Sequence, residues 1–362
     1  MMLMREPEIV QNEMKKIAII SEVINLKPTE GIRKFGREIA NAFETSKRFR
    51  VYRIGFSKEV IEDGNSLSKI REIIKCRRKL RAIDADVIIY IPSSPRIMNN
   101  LLKFSLWQGK SKWKVIILLQ PPKGVAPFAK RILKDVKLFT QFSSDQLPRS
   151  LRNGPNELIP SGVNVLDFKP VTETERNRLR MQLGFAPIDK IVISVGHLTE
   201  GRNLDLIMRL SKSVTARIVF VTSGISWDDP KIKTKLEESG VVLLDRYFEK
   251  MQDIYSIADC YVFPTRNPKS AIGMPLSILE ALSCNVPVVS SRFGVLNEIL
   301  TDGKGVAFFD DDETAIRLVQ ETISDAHHHD CRIVALDFDW SKIAGLIIPE
   351  TINLNGQLRG VI

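Results

Sequence analysis

The run DCYVFPTRNPKSAIGMPLSILEALSCNVPVVSSRFGVLNEILTDGKG, residues 259–305, decides how the chain is read. Tyr261 to Pro264 is a short β-rich run, a loop with Gly273 and Pro275 follows, Leu276 to Cys284 has the composition of a helix, and Val286 to Ser290 is a second β-rich run. Strand, loop, helix, strand is one βαβ unit, and such a unit belongs to a parallel sheet. Its loop enters a helix N-terminus at the carboxyl end of a strand, where unpaired N–H groups and the helix dipole favour an anion. A glycine at 273 lets a phosphate approach the backbone closely. Glu280 lies about one turn into the helix, where a carboxylate suits the two hydroxyls of a ribose.

PLSILEALSCNVPVVSS followed by FGVLNEIL resembles the signature of the retaining nucleotide-sugar glycosyltransferases of family 4, also called group 1. The resemblance implies a GT-B fold: an α/β chain of two Rossmann-like domains whose parallel sheets face each other across a cleft. It implies that Glu280 binds the donor's ribose and that Gly273, Met274, Pro275 and Leu276 cradle its diphosphate. A second string, IPSGVNVLDFKPV (159–171), is similar to the family's domain junction, stiffened here by Pro160 and Pro170. The expected domains are therefore 1–165, for the acceptor, and 166–362, for the donor.

A chain of 362 residues suits two cores rather than one. Its 44% apolar and 27% charged residues are those of a globular protein, and no apolar run approaches the ~20 residues that span a bilayer. The stretch MMLMREPEIVQNEMKK lacks the apolar core of a signal peptide, which predicts a cytoplasmic protein. Cys76, Cys260, Cys284 and Cys331 have no C-x-x-C spacing and read as buried thiols. Residues 1–170 hold 32 Lys+Arg against 17 Asp+Glu, a balance of +15, whereas 171–362 hold 21 against 26, a balance of −5. A basic first half points to an anionic acceptor, an anionic membrane surface or nucleic acid, although no nucleic-acid-binding module is recognisable.

In chain order, KIAIISEV, FRVYRIGF, ADVIIYIP, KWKVIILLQP and LFTQFS read as strands of the first sheet. The loop KPTEGIRK precedes an amphipathic helix, FGREIANAF. The family has a glycine-rich loop there, so Gly31 is expected to line the cleft, with Glu30 where a second glycine is common. Ser68 to Ala82 reads as a helix with Ile70, Ile73, Ile74 and Leu80 on one side and seven cations elsewhere. Two uses fit it: packing on the sheet, or lying on a membrane. In the second half, TETERNRLRMQLGF is a charged helix, KIVISVG a strand, and GHLTEGRNLDLIMRL a loop and helix. By resemblance His197 and Arg202 stand where the family grips the diphosphate with Arg and Lys. ARIVFVTSG ends at Gly224, and VVLLDRYF carries Arg246 toward the expected base-binding region. FFDDDETAIRLVQETI reads as a loop and capped helix, and DWSKIAGLII resembles a terminal helix that packs back on the first domain. His327, His328 and His329 are adjacent and read as a solvated loop rather than a ligand set.

Two departures bear on activity. The family's first carboxylate, before Glu280, falls on Ile272, and residues 1–196 contain no histidine, so Gln120 holds the place of a first-domain His. A glutamine hydrogen-bonds but is no general base. The expected chemistry is transfer from a UDP- or GDP-sugar to a glycan or lipid-linked acceptor, helped by Arg202, His197 and Gln120, with no metal and no cofactor. The alternative is a catalytically silent, nucleotide-sugar-binding partner subunit.

Overall fold

The computed structural model describes residues 14–152, 154, 156–222, 229–325 and 330–349, and the backbone of a short antiparallel pair, Ile352–Asn353 with Gln357–Leu358. Two parallel six-stranded sheets organise it. The first contains β1 (Lys15–Ile20), β2 (Phe49–Ile54), β3 (Val87–Tyr90), β4 (Trp113–Leu118), β5 (Lys137–Thr140) and β6 (Asn156–Leu158), in the order β2-β1-β3-β4-β5-β6. The second contains β7 (Ile191–Val195), β8 (Arg217–Thr222), β9 (Val242–Asp245), β10 (Cys260–Phe263), β11 (Val288–Ser291) and β12 (Val306–Phe309), in the order β12-β11-β10-β7-β8-β9. Strands such as VIIY of β3 and CYVF of β10 are apolar throughout and wholly buried, as helices on both sheet faces require.

The strand orders place the crevices. In the first sheet the chain runs from β1 outward to β2 and then returns to put β3 on the other side of β1. In the second it runs from β7 through β8 to β9 and returns to put β10 beside β7. Loops leaving the two strands at such a reversal diverge and leave a crevice at the carboxyl edge. The loops after β1, β3, β7 and β10 therefore border these crevices.

Three local readings change. The helix expected from Phe35 begins at Gly31, so its N-terminus lies in the loop itself. The segment expected as a loop before DETAIRLVQETI contains β12, which pairs with β11 in register Val288↔Val306. The basic helix, Ser66–Ile83, buries Glu72, Cys76 and Leu80, whereas Leu67, Ile70 and Ile74 are 67%, 52% and 47% exposed. Glu72 is turned inward because its carboxylate accepts from the Ser57 amide at 3.3 Å. All four cysteines are buried, and burial raises the Cys76 and Cys331 thiols to about 11.

The helix Trp340–Ile347 crosses back to the first sheet. Trp340, Ile343, Ala344 and Ile347 join the cluster built on Ile17, Ile19 and Ile89, and Trp340 meets Phe35 edge-on at 5.2 Å between ring centroids. The Trp113 indole donates to the Ile347 carbonyl at 3.3 Å. Replacing Trp340 by Ala is expected to cost about 3–5 kcal/mol, the range for emptying a buried aromatic site. Chemical denaturation measures this, and a loss under 1 kcal/mol would mean that the helix does not hold the first sheet's outer face.

Candidate active site

The site is assembled from the strand of the opening run. Asp259 precedes β10, and its carboxylate accepts from the Arg176 and Arg180 guanidiniums at 3.0 and 2.8 Å and from the Ile191 amide at 2.8 Å, which fixes β10 beside β7. Beyond β10 the chain crosses to the first sheet before turning into the helix Leu276–Ser283. There the Gly273 amide donates to the Leu119 carbonyl at 2.8 Å and the Gln120 side chain donates to the Ala271 carbonyl at 3.0 Å. The Met274 amide donates to Gln141 Oε1 at 3.3 Å, and Ser161 Oγ donates to the Met274 carbonyl at 2.6 Å. A Cβ at Gly273 would overlap the Gln141 carbonyl, so only glycine allows this approach.

Three of the sequence candidates are placed away from the cleft. Gly273 and Met274 do not line the cleft; their amides are spent on the first sheet and Met274 is fully buried, because the loop serves as a seam there. Gln120 is likewise a strut of that seam and is absent from the cleft lining, its amide being held by Ala271. Gly224 and the three consecutive histidines lie outside the described residues.

The cleft itself is a cavity of about 190 Å³ walled by both halves of the chain. From the first come Gly31, Lys34 and Glu30; from the loop after β7, Gly196, His197 and Arg202; from the loop after β10 and the helix it enters, Ile272, Pro275, Leu276 and Ser277. Arg246, Tyr247 and Phe248 follow β9 and form another wall, with the Arg246 guanidinium 4.7 Å from the Phe248 ring centre. Of the sequence candidates, Arg202, His197, Glu280, Pro275, Leu276, Gly31 and Arg246 come together here. The Arg202 guanidinium lies over Gly196, where a side chain would come within 3.2 Å of Nη1.

Glu280 is buried in a polar grip. Tyr255 donates to Oε2 at 2.9 Å, and Lys34 forms an ion pair with Oε1. Burial and the adjacent Glu280 carboxylate push the Tyr255 phenol well up, so it remains a donor. Lys34 also lies 5.0 Å from the Phe168 ring centre. Ile272 occupies the place of the expected carboxylate and packs on Gly31, where a Cβ would lie 3.2 Å from Ile272. Sequence reasoning missed Lys34 and Tyr255. Their signal is weak, since Lys34 is one of several cations in KPTEGIRK and Tyr255 is 25 residues from Glu280.

Residues 189–325 match the family of glycosyl transferases group 1. Among curated proteins, the chain is 27% identical over 150 residues to an alpha-galactosylglucosyldiacylglycerol synthase of Streptococcus pneumoniae, covering 39% of each. It is 24% identical over 200 residues to a GDP-mannose-dependent monoacylated alpha-(1-6)-phosphatidylinositol monomannoside mannosyltransferase of Corynebacterium glutamicum, covering 51% of this chain and 52% of that one. The matched segments thus span about half or less of those relatives' length. The structure superposes on the Anabaena HepE complex with UDP with a TM-score of 0.68 and 14% identity, covering 92% of this chain and 98% of the other. Both sheets are included in that likeness, so the fold is GT-B.

The seam makes Gly273 a structural residue. Gly273→Ala is expected to cost about 1–3 kcal/mol, the range for overpacking, because the loop must leave Gln141 or displace it. A melting curve equal to that of the unaltered protein would show that the loop does not need this approach.

Proposed function

We propose that the cleft binds a nucleoside diphosphate sugar and that the protein transfers the sugar, with retention, to a glycan or lipid-linked acceptor. The observation that carries the reading is the convergence of Glu280, Arg202, His197 and the Leu276–Ser283 helix start on one cavity between two switch points. In this assignment residues 166–362 hold the donor and 1–165 the acceptor, with the boundary in the 159–171 segment. Glu280 accepts from the ribose hydroxyls. The guanidinium of Arg202, with His197 and the helix start, carries the charge that grows on the diphosphate as the sugar leaves. Tyr247, Phe248 and Arg246 offer faces for the base. The acceptor hydroxyl attacks the anomeric carbon from the face the nucleotide departs, the carbon–oxygen bond to phosphate breaks, and a diphosphate oxygen takes the acceptor's proton. The chemistry then asks the protein for positioning and cations, and we assign it no metal.

A second reading, a nucleotide-sugar-binding subunit without activity, draws support from Ile272, whose side chain is packed on Gly31, and from Gln120, whose amide is tied to Ala271. Binding and turnover separate the two. Calorimetry with UDP-, GDP- and ADP-sugars is expected to find one tight donor, with transfer or slow donor hydrolysis that persists in EDTA; binding without either leaves the silent subunit.

Arg202→Ala is expected to weaken that donor by about 1.5–3 kcal/mol, roughly tenfold to a hundredfold. Glu280→Gln is expected to weaken the ribonucleotide while leaving a 2′,3′-dideoxy analogue nearly unaffected. Equal losses for the two ligands would remove Glu280 from the ribose.

The acceptor side has a further character that we assign to an anionic membrane surface. Leu67, Ile70 and Ile74 are exposed on the helix that also carries Arg71, Arg77, Arg78 and Lys79, an amphipathic arrangement suited to lying in a lipid interface. No helix of the described residues is long and apolar enough to cross a membrane. Each cation near such a surface contributes about 1 kcal/mol. Cosedimentation is expected to require anionic liposomes, to fall with salt, and to weaken when Arg77, Arg78 and Lys79 are changed together to Ser or Ile70 and Ile74 to Ser. Equal binding to neutral liposomes, or none to anionic ones, would favour a soluble acceptor.

A further inference from the structure

Lys34 is placed where its own helix disfavours its charge and where that charge is spent on the opposite half. It sits in the first turns of the helix Gly31–Thr45, with its amide donating to the Glu30 carbonyl at 2.9 Å, and a cation near a helix N-terminus is opposed by the helix dipole. Its ammonium crosses the cleft to Glu280 of the opposite half, with side-chain exposures of 25% and 6%. The pair lines the cavity at the carboxylate assigned to the ribose. Two ribose hydroxyls and the Tyr255 phenol would supply Glu280 with three neutral donors, enough to satisfy a buried carboxylate without the ammonium. Lys34 would then be a cation at the mouth of a helix, in a cavity it shares with Arg202 and His197, with a flexible four-carbon stem and an uncompensated charge. Glu30, the other cleft carboxylate, is engaged by Arg33 at 3.2 Å.

Resting on the nucleotide reading of the cleft, we infer that Lys34 exchanges partners when the donor binds. It leaves Glu280 to the ribose and takes the diphosphate from the first-sheet side, opposite Arg202. The ion pair is thus a latch on the empty cleft and a source of the cation that completes the phosphate site. A ligand that has the ribose but no phosphate breaks the latch and gains nothing for it. The full donor breaks it and is repaid by a new charge-assisted contact.

The two halves of the exchange have opposite signs in a Lys34→Met variant, with Lys34→Gln as a second variant should Met perturb folding. For the base the protein prefers, titrations of the nucleoside and of the nucleoside diphosphate are compared with those of the unaltered protein. The expected result is a diphosphate Kd roughly tenfold to a hundredfold weaker, as for a hydrogen bond to a charged group, with a nucleoside Kd severalfold tighter; an unchanged nucleoside Kd would mean that there is no latch to break and would overturn the exchange. Nucleoside and diphosphate weakened by the same factor would mean that Lys34 only orients Glu280, and both unchanged would mean that it contacts neither; either result overturns the exchange while leaving the nucleotide site standing. Failure of the unaltered protein to bind any nucleoside diphosphate overturns the nucleotide reading and the exchange with it.

Discussion

The 271–275 loop must do two things at once, and most of the molecule is arranged around that constraint. Its amides at Gly273 and Met274 are donated to the first sheet and to Gln141, while the next residues begin a helix of the second half. Buried backbone groups need partners, and here the partners come from the other half of the chain. The loop therefore fixes the distance between the sheets on one side of the cleft. Gly294 adds to it, because its own φ of +59° lets the chain pass against the Gly273 carbonyl, which accepts from Val295 at 3.1 Å.

The cleft's electrostatics follow from where these constraints leave charge. Two carboxylates, Glu30 and Glu280, face Lys34, Arg202 and Arg246, and each carboxylate already has a cation from the first half, Arg33 or Lys34. Of these pairs Lys34–Glu280 joins the two walls, whereas Glu30 and Arg33 lie on one. Contacts such as Lys27 over Tyr247, 5.8 Å from the ring centre, extend the same pattern along the cleft. Phe168 and Ile272 supply the apolar surfaces along which Lys34 and Gly31 lie.

Much of this was legible in the chain because it is local. The βαβ unit at 259–305 shows in four consecutive patches of composition, and the placement of Glu280 in the Leu276–Ser283 helix needs only the 3.6-residue period. What the sequence withheld depends on partners far away. Gly273 reads as a phosphate glycine from its own loop, and only the approach of Gln141, 132 residues earlier, shows that it is a packing glycine. The resemblance implied a catalytic place for Gln120, and a carbonyl 151 residues on accepts from its amide. The Ile70, Ile73 and Ile74 stripe fitted either a core or a lipid surface, and in the fold Glu72 and Cys76 turn inward, partnered by the Ser57 amide and the Gly55 carbonyl. Burial of a carboxylate in place of two isoleucines follows no periodicity.

The return helix at Trp340–Ile347 also bears on how the molecule is made. All six strands of the first sheet lie before residue 160, yet the apolar face at Phe35 is covered by the Trp340–Ile347 helix, which a ribosome adds only after every strand of the second sheet. Translation adds about 5–20 residues each second, so the first sheet waits roughly 10–40 s with that face uncovered. The half that begins folding first is in this sense the half that finishes last, and the nascent chain carries an exposed apolar surface for the whole time its second sheet is being synthesised.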